Sequence, residues 1–136
     1  IPNLGVVEYT DGTVYKIADI PGIIEGAHKG LGLGLSFLQH IERVKCILYI
    51  IDCSGDNLQY TLELLKSELK TYNPGLLGKE SRIILSKIDL ISEEDLKLKI
   101  KDLGKNVIPI SVLLDDKLAL LYSEIRKLME KFDEKG

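Results

Sequence analysis

RIILSKID, residues 82–89, is an apolar run that ends on a lysine, an isoleucine and an aspartate. Ile83, Ile84 and Leu85 follow one another directly, so both faces of an extended chain are apolar there, as in a strand covered on two sides. KCILYIID, residues 45–52, has the same character and also ends on an aspartate. Between the two, Leu58, Leu62, Leu65, Leu69 and Tyr72 form a helical stripe, closed by Asn73-Pro74-Gly75. Strand, helix, strand with both strands fully apolar is the signature of a parallel pair.

The same alternation continues towards the C terminus. Ser92, with Asp95 three residues later, resembles a capping box and starts a helix that carries Leu96, Ile100 and Leu103. NVIPISV, residues 106–112, reads as a last short strand. Leu118, Leu121, Tyr122, Ile125, Leu128, Met129 and Phe132 then keep the spacing of a helix with one buried face. Towards the N terminus, NLGVVEY and TVYKIADI flank Asp11-Gly12, the pair that tight hairpin turns favour, and predict two antiparallel strands. Leu35, Leu38, Ile41 and Val44 predict a further helix over residues 35–44. The expected fold is α/β: one doubly wound domain, a mostly parallel sheet with an antiparallel hairpin at its edge.

Composition narrows the function. The 136 residues are 45% apolar, enough for one domain with its own core. A formal charge of −3 argues against a general electrostatic grip on nucleic acid, so no DNA partner is expected and any RNA partner needs a local site. Cys46 and Cys53 stand on one extended segment roughly 23 Å apart and cannot bridge each other, so they read as reduced thiols. No run is long enough for a membrane span and no basic leader opens the chain, so a cytoplasmic protein without a membrane partner is expected.

In such sheets ligands sit outside the carboxyl ends of the strands, which directs attention to Asp19–Gly22, Asp52–Gly55, Ser86–Asp89 and Ser111–Val112. The glycines nearby do not make a dinucleotide fingerprint, because Leu35 stands where the last glycine of Gly30-x-Gly32-x-x-Gly belongs. GLLGKES, residues 75–81, imitates a Walker A loop but has too few residues between its glycines and follows a helix and a turn. Asp19-Ile20-Pro21-Gly22 does fit a phosphate sensor: the acid can hold Mg²⁺ through water while the glycine N–H reaches a terminal phosphate. At the end of a later strand the Asp89 carboxylate can accept both N–H donors of a guanine edge, with the Lys87 stem along the base. A backbone N–H at Ser111-Val112 can donate to the guanine carbonyl.

With those three elements in order, the segments IPNLGVVEY, DIPGIIEGAHKGLGLGLSFLQHIERV and YIIDCSG make the chain resemble the Obg family of ribosome-associated P-loop GTPases. The resemblance implies a P-loop GTPase-like G domain over residues 1–136 that lacks its first strand, its P-loop and its first-switch threonine. It also implies GTP or GDP with Mg²⁺ as cofactors, Asp19 as the water-mediated metal contact and Gly22 as the γ-phosphate contact. Pro21, Ile23, Gly26, Gly30, Gly32 and Gly34 become the second switch, and Ser86, Lys87, Asp89, Ser111 and Val112 the guanine pocket. The implied partners are the large ribosomal subunit, in whose assembly the family acts, and the missing N-terminal part of the G domain. Two departures lower the expected activity. Ser86 replaces the usual asparagine and has less reach, and Ile23 replaces a water-orienting glutamine. The absent strand would lie between the strands ending at Asp19 and Asp52, leaving two unpaired inner edges. Two alternatives stand beside this one: a non-catalytic ribosome-binding module, favoured for a stretch without a phosphate cradle, and a receiver-type domain with Asp52 as phosphoacceptor, which lacks the acidic pair that fold needs.

Overall fold

The computed structural model describes residues 4–18, 43–111, 113 and 115–135. By contacts the chain divides into two compact units, Ile1–Val44 with Leu65–Gly78, and Lys45–Leu64 with Lys79–Gly136. The expected α/β architecture is present: a two-stranded antiparallel hairpin, a three-stranded parallel sheet, and helices between the parallel strands.

In the first unit β1 (Leu4–Glu8) pairs with β2 (Val14–Ala18), with Glu8 opposite Val14. The turn is longer than the tight pair expected at Asp11-Gly12. Tyr9 N–H donates to the Thr13 carbonyl at 2.9 Å and Gly12 N–H to the Tyr9 carbonyl at 3.0 Å, which leaves Thr10, Asp11 and Gly12 as the loop. A turn of this kind rejoins the ladder through a residue of positive φ, and Gly12 supplies it at 91°. The Tyr9 and Tyr15 rings meet edge to face at 5.7 Å.

The helix α1 (Leu58–Tyr72) follows the predicted stripe, with Leu58, Leu62 and Leu69 buried. Its start is set by Asn57, whose side-chain oxygen accepts the Tyr60 N–H at 3.0 Å. Its end is set by Asn73, which accepts the Gly75 N–H on its side chain and the Leu76 N–H on its carbonyl. The single 3₁₀ turn Pro74–Gly78 then buries Leu76. Of the helix expected over residues 35–44, only Arg43 and Val44 fall among the described residues, and they are not helical.

In the second unit β3 (Cys46–Asp52), β4 (Glu80–Ser86) and β5 (Val107–Pro109) lie parallel in the order β3-β4-β5. β4 is the central strand, and Ile83, Ile84 and Leu85 are buried on both faces as their sequence predicts. β3 departs from that expectation. Ile47, Tyr49 and Ile51 are buried on one face, but Ile50, on the other, is 64% exposed; among the described residues β3 has β4 on one side and no strand on the other. The strand expected over residues 106–112 pairs only from Val107 to Pro109. Beyond it one further bond, Ile110 N–H to the Leu85 carbonyl at 2.8 Å, keeps the chain in register.

Ser92 caps α2 (Glu93–Leu103) by accepting the Asp95 N–H at 3.1 Å. The Asp95 carboxylate turns to Lys99 one turn on, at 3.6 Å, so the cap and an i,i+4 pair share the first turn. The last helix, α3 (Asp115–Lys135), buries Ile125 and Leu128. Tyr122, placed on the buried stripe by its spacing, is 47% exposed at the margin of that stripe. The core of this unit gathers Ile84, Ile108 and Ile110, with Leu48 and Leu121 packed against them. Cys46 and Cys53 are both free thiols, as expected. Among the described residues no helix is long and apolar enough to cross a membrane.

Candidate functional site

The parallel register sets Asp52 opposite Ser86 and Leu85 opposite Pro109, so all three strands end at one edge of the sheet. Ser86 closes β4, and its hydroxyl donates to the Ile51 carbonyl at 3.2 Å. The chain then leaves the strand sharply: Lys87 is left-handed, with φ 61° and ψ 37°. A non-glycine residue in that region costs about 1–2 kcal/mol and persists only where its surroundings hold it. The next residue does part of the holding. Ile88 is buried, and its N–H donates to the Ile110 carbonyl at 3.2 Å, which pins the following 3₁₀ turn, Ile88–Leu90, onto the chain beyond β5.

With Ile88 as the pin, Lys87 and Asp89 on either side of it are exposed. Asp89 is oriented by Ser111, a fully buried residue whose hydroxyl donates to Asp89 Oδ1 at 2.6 Å and accepts the Leu113 N–H at 3.1 Å. Among the described residues Asp89 Oδ2 has no hydrogen-bond partner. A carboxylate fixed on one oxygen and open on the other, at the exposed edge of a sheet, can accept N–H donors from a ligand.

The end of β3 closes the other side of the same cluster. Asp52 Oδ1 accepts the Ser54 N–H at 2.9 Å and the Ser54 hydroxyl at 2.7 Å, while Oδ2 pairs with Lys87 Nζ at 3.1 Å. The Ser54 hydrogen bonds first, and Lys87 after them, hold the Asp52 carboxyl at about 2. Cys53 is buried, and burial pushes its thiol up, so it stays a protonated donor. Its N–H donates to the Ser86 carbonyl and its S–H to the Lys87 carbonyl, both at 3.1 Å, and its own carbonyl accepts Lys99 Nζ at 2.6 Å.

Ser86, Lys87, Asp89 and Ser111, the candidate base-reading residues that are described, therefore form one cluster at the carboxyl edge. Val112 and the phosphate-side candidates Asp19, Pro21, Gly22, Ile23, Gly26, Gly30, Gly32 and Gly34 lie outside the described residues. Among the described residues no group of three metal-ligating side chains could hold a metal ion. Sequence reasoning missed the orienting hydroxyl of Ser111 and the roles of Cys53 and Lys99. It treated Asp52 only as a phosphoacceptor, although the D-x-S spacing of Asp52 and Ser54 is a local signal for a carboxylate that folds onto its own backbone.

A family profile described as "50S ribosome-binding GTPase" matches residues 1–87. The GTPase Obg of Prochlorococcus marinus (strain AS9601) is 46% identical over 131 residues, covering 93% of this chain and 40% of that protein. The GTPase Obg of Pelagibacter ubique (strain HTCC1062) is 46% identical over 105 residues, covering 77% of this chain and 32% of the relative. The chain thus spans well under half the length of these relatives. Among solved structures, Era in complex with MgGDPNP and nucleotides 1506–1542 of 16S ribosomal RNA superposes with a TM-score of 0.59 at 23% identity, over 90% of this chain and 44% of Era, which is a likeness of fold. A profile match over residues 1–87 of 136, on a sheet whose carboxyl edge carries the cluster just described, sets aside the receiver-type alternative: the chain belongs to the 50S ribosome-binding GTPase family, and within it to the Obg GTPases.

Proposed function

We propose that this chain is the guanine-reading part of a G domain that binds GTP and GDP with Mg²⁺, hydrolyses GTP slowly, and in the cytoplasm couples its nucleotide state to assembly of the large ribosomal subunit. The observation that carries the reading is the exposed Asp89 carboxylate, held on Oδ1 by the buried Ser111 hydroxyl at 2.6 Å and with no partner for Oδ2 among the described residues. Guanine offers two adjacent N–H donors on one edge, and a carboxylate is the side chain that accepts both. The Lys87 stem supplies an apolar surface for the face of the ring.

The Ser86 hydroxyl is donated to the Ile51 carbonyl, so it is not available to bridge base and phosphate loop as an asparagine would, and guanine affinity is correspondingly weaker. In the same proposal the base also takes the Val112 region, Gly22 meets the γ-phosphate, and Asp19 holds Mg²⁺ through water, where the ion supplies positive charge to the phosphates. Pro21, Ile23, Gly26, Gly30, Gly32 and Gly34 form the segment that answers to the terminal phosphate, and the aliphatic Ile23 cannot orient the attacking water, which keeps hydrolysis slow.

Replacing Asp89 tests this directly. An asparagine accepts one hydrogen bond and donates another, which suits xanthine, whose edge presents one N–H and one carbonyl. In the full polypeptide that contains this chain, Asp89→Asn weakens GDP binding by about tenfold to a hundredfold and strengthens xanthosine diphosphate binding, as calorimetric titration will read. Unchanged GDP affinity in that variant removes the base-reading role.

A further inference from the structure

The end of β3 grips Lys87 at both of its ends. Asp52 Oδ2 holds the ammonium at 3.1 Å, and the Cys53 thiol donates to the Lys87 carbonyl at 3.1 Å. Asp52 is itself tied down on its other oxygen by the N–H and the hydroxyl of Ser54, at 2.9 and 2.7 Å. Lys87 and Asp52 side chains are 61% and 44% exposed, and an ion pair so open to water contributes little to folding. What the pair does determine is direction. A lysine stem is four methylenes with free rotors, and a purine face gains little from a stem that wanders.

We infer that Asp52 is a positioning residue for the purine. By anchoring the Lys87 ammonium at the end of β3 while the Lys87 backbone sits at the end of β4, it stretches the stem between two strands as a platform for the base whose edge Asp89 reads. This deepens the guanine-binding reading and rests on it, and it adds β3 to a pocket otherwise built from the ends of β4 and β5. Asp52 touches no ligand in this account and acts only through Lys87. Because the platform meets the face of the ring, its effect is blind to the ring's edge substituents.

The test is a double-mutant cycle in the full polypeptide, read as dissociation constants for GDP and for inosine diphosphate, which lacks the 2-amino group. Asp52→Asn keeps an acceptor for Ser54 and removes the charge, and Lys87→Met keeps the stem and removes the ammonium. Each single change is expected to weaken both nucleotides equally, by about threefold, the size that suits an exposed pair. The double variant is expected to be no weaker than Lys87→Met alone. A loss from Asp52→Asn that persists undiminished beside Lys87→Met overturns the inference, as does no loss at all. Asp89→Asn in the same series separates the two levels. If it weakens GDP but Asp52→Asn does not, the platform alone is wrong; if neither matters, the base-reading role falls and the platform with it.

Discussion

β3 and β4 are close in sequence character, CILYIID against ESRIILS, yet they live in different surroundings. β4 has parallel neighbours on both sides and buries Ile83, Ile84 and Leu85 in succession, with Leu85 fully enclosed. β3, with one neighbour among the described residues, buries alternate side chains and leaves Ile50 64% exposed. Their ends differ in the same sense. The turn after β4 carries the exposed carboxylate of Asp89, while the turn after β3 spends its polar groups on holding Lys87. An apolar strand sequence therefore records which environments a strand tolerates, and what packs on each of its faces decides which it receives.

The sharpest way to break this contrast is to truncate one residue from each strand. Leu85→Ala is expected to lower the free energy of unfolding by about 2–5 kcal/mol, whereas Ile50→Ala costs less than about 0.5 kcal/mol, both read from urea unfolding. Equal losses would mean that β3 is as enclosed as β4. A smaller effect is expected where the two strands lead into helices. Asn57 caps the helix after β3 and Ser92 the helix after β4, each by accepting one backbone N–H, so Asn57→Ala and Ser92→Ala should each cost about 1 kcal/mol despite the difference between the strands. A cap loss several times larger on one side would show that the helix, and not the strand, carries the asymmetry.

The smallest expected effect lies at the end of β3. The Asp52 carboxyl is held at about 2 against an ordinary value of 3.8, so its native contacts favour the ionised form. Their contribution is complete above the ordinary carboxylate range and is lost as pH falls through about 2. A carboxyl-carbon NMR titration should place the Asp52 midpoint near 2, and Lys87→Met should raise it only part of the way, because the Ser54 hydrogen bonds are the larger cause. A midpoint at the ordinary value would mean that the brace on Lys87 does not form in solution.

Much of this was legible before any coordinates. The stripe from Leu58 to Tyr72, the Ser92 cap and the hairpin around Gly12 each rest on interactions within a few residues, which local spacing reports. That Ser86, Lys87, Asp89 and Ser111 stand at or just after the ends of neighbouring strands was also legible, through their order along the chain. Their contacts were not. Ser111 was read for a backbone N–H, but its hydroxyl reaches Asp89 across 22 residues of sequence, and the Cys53 thiol reaches Lys87 across 34. Tyr122 shows the same limit in a helix, since a stripe says which side of the helix is apolar and not how far its neighbours extend over it.

By itself the sequence determined the type and order of the described strands and helices and which of their residues follow the carboxyl ends of the strands. Those follow from backbone sterics, capping and periodicity, all short-range. The tertiary structure alone decided that β4 has a parallel neighbour on each side, that Lys87 is held left-handed, and that the Ser111 hydroxyl holds Asp89 on one oxygen. Each of these depends on a partner far away in the chain, and only the packed sheet brings such partners within hydrogen-bond reach.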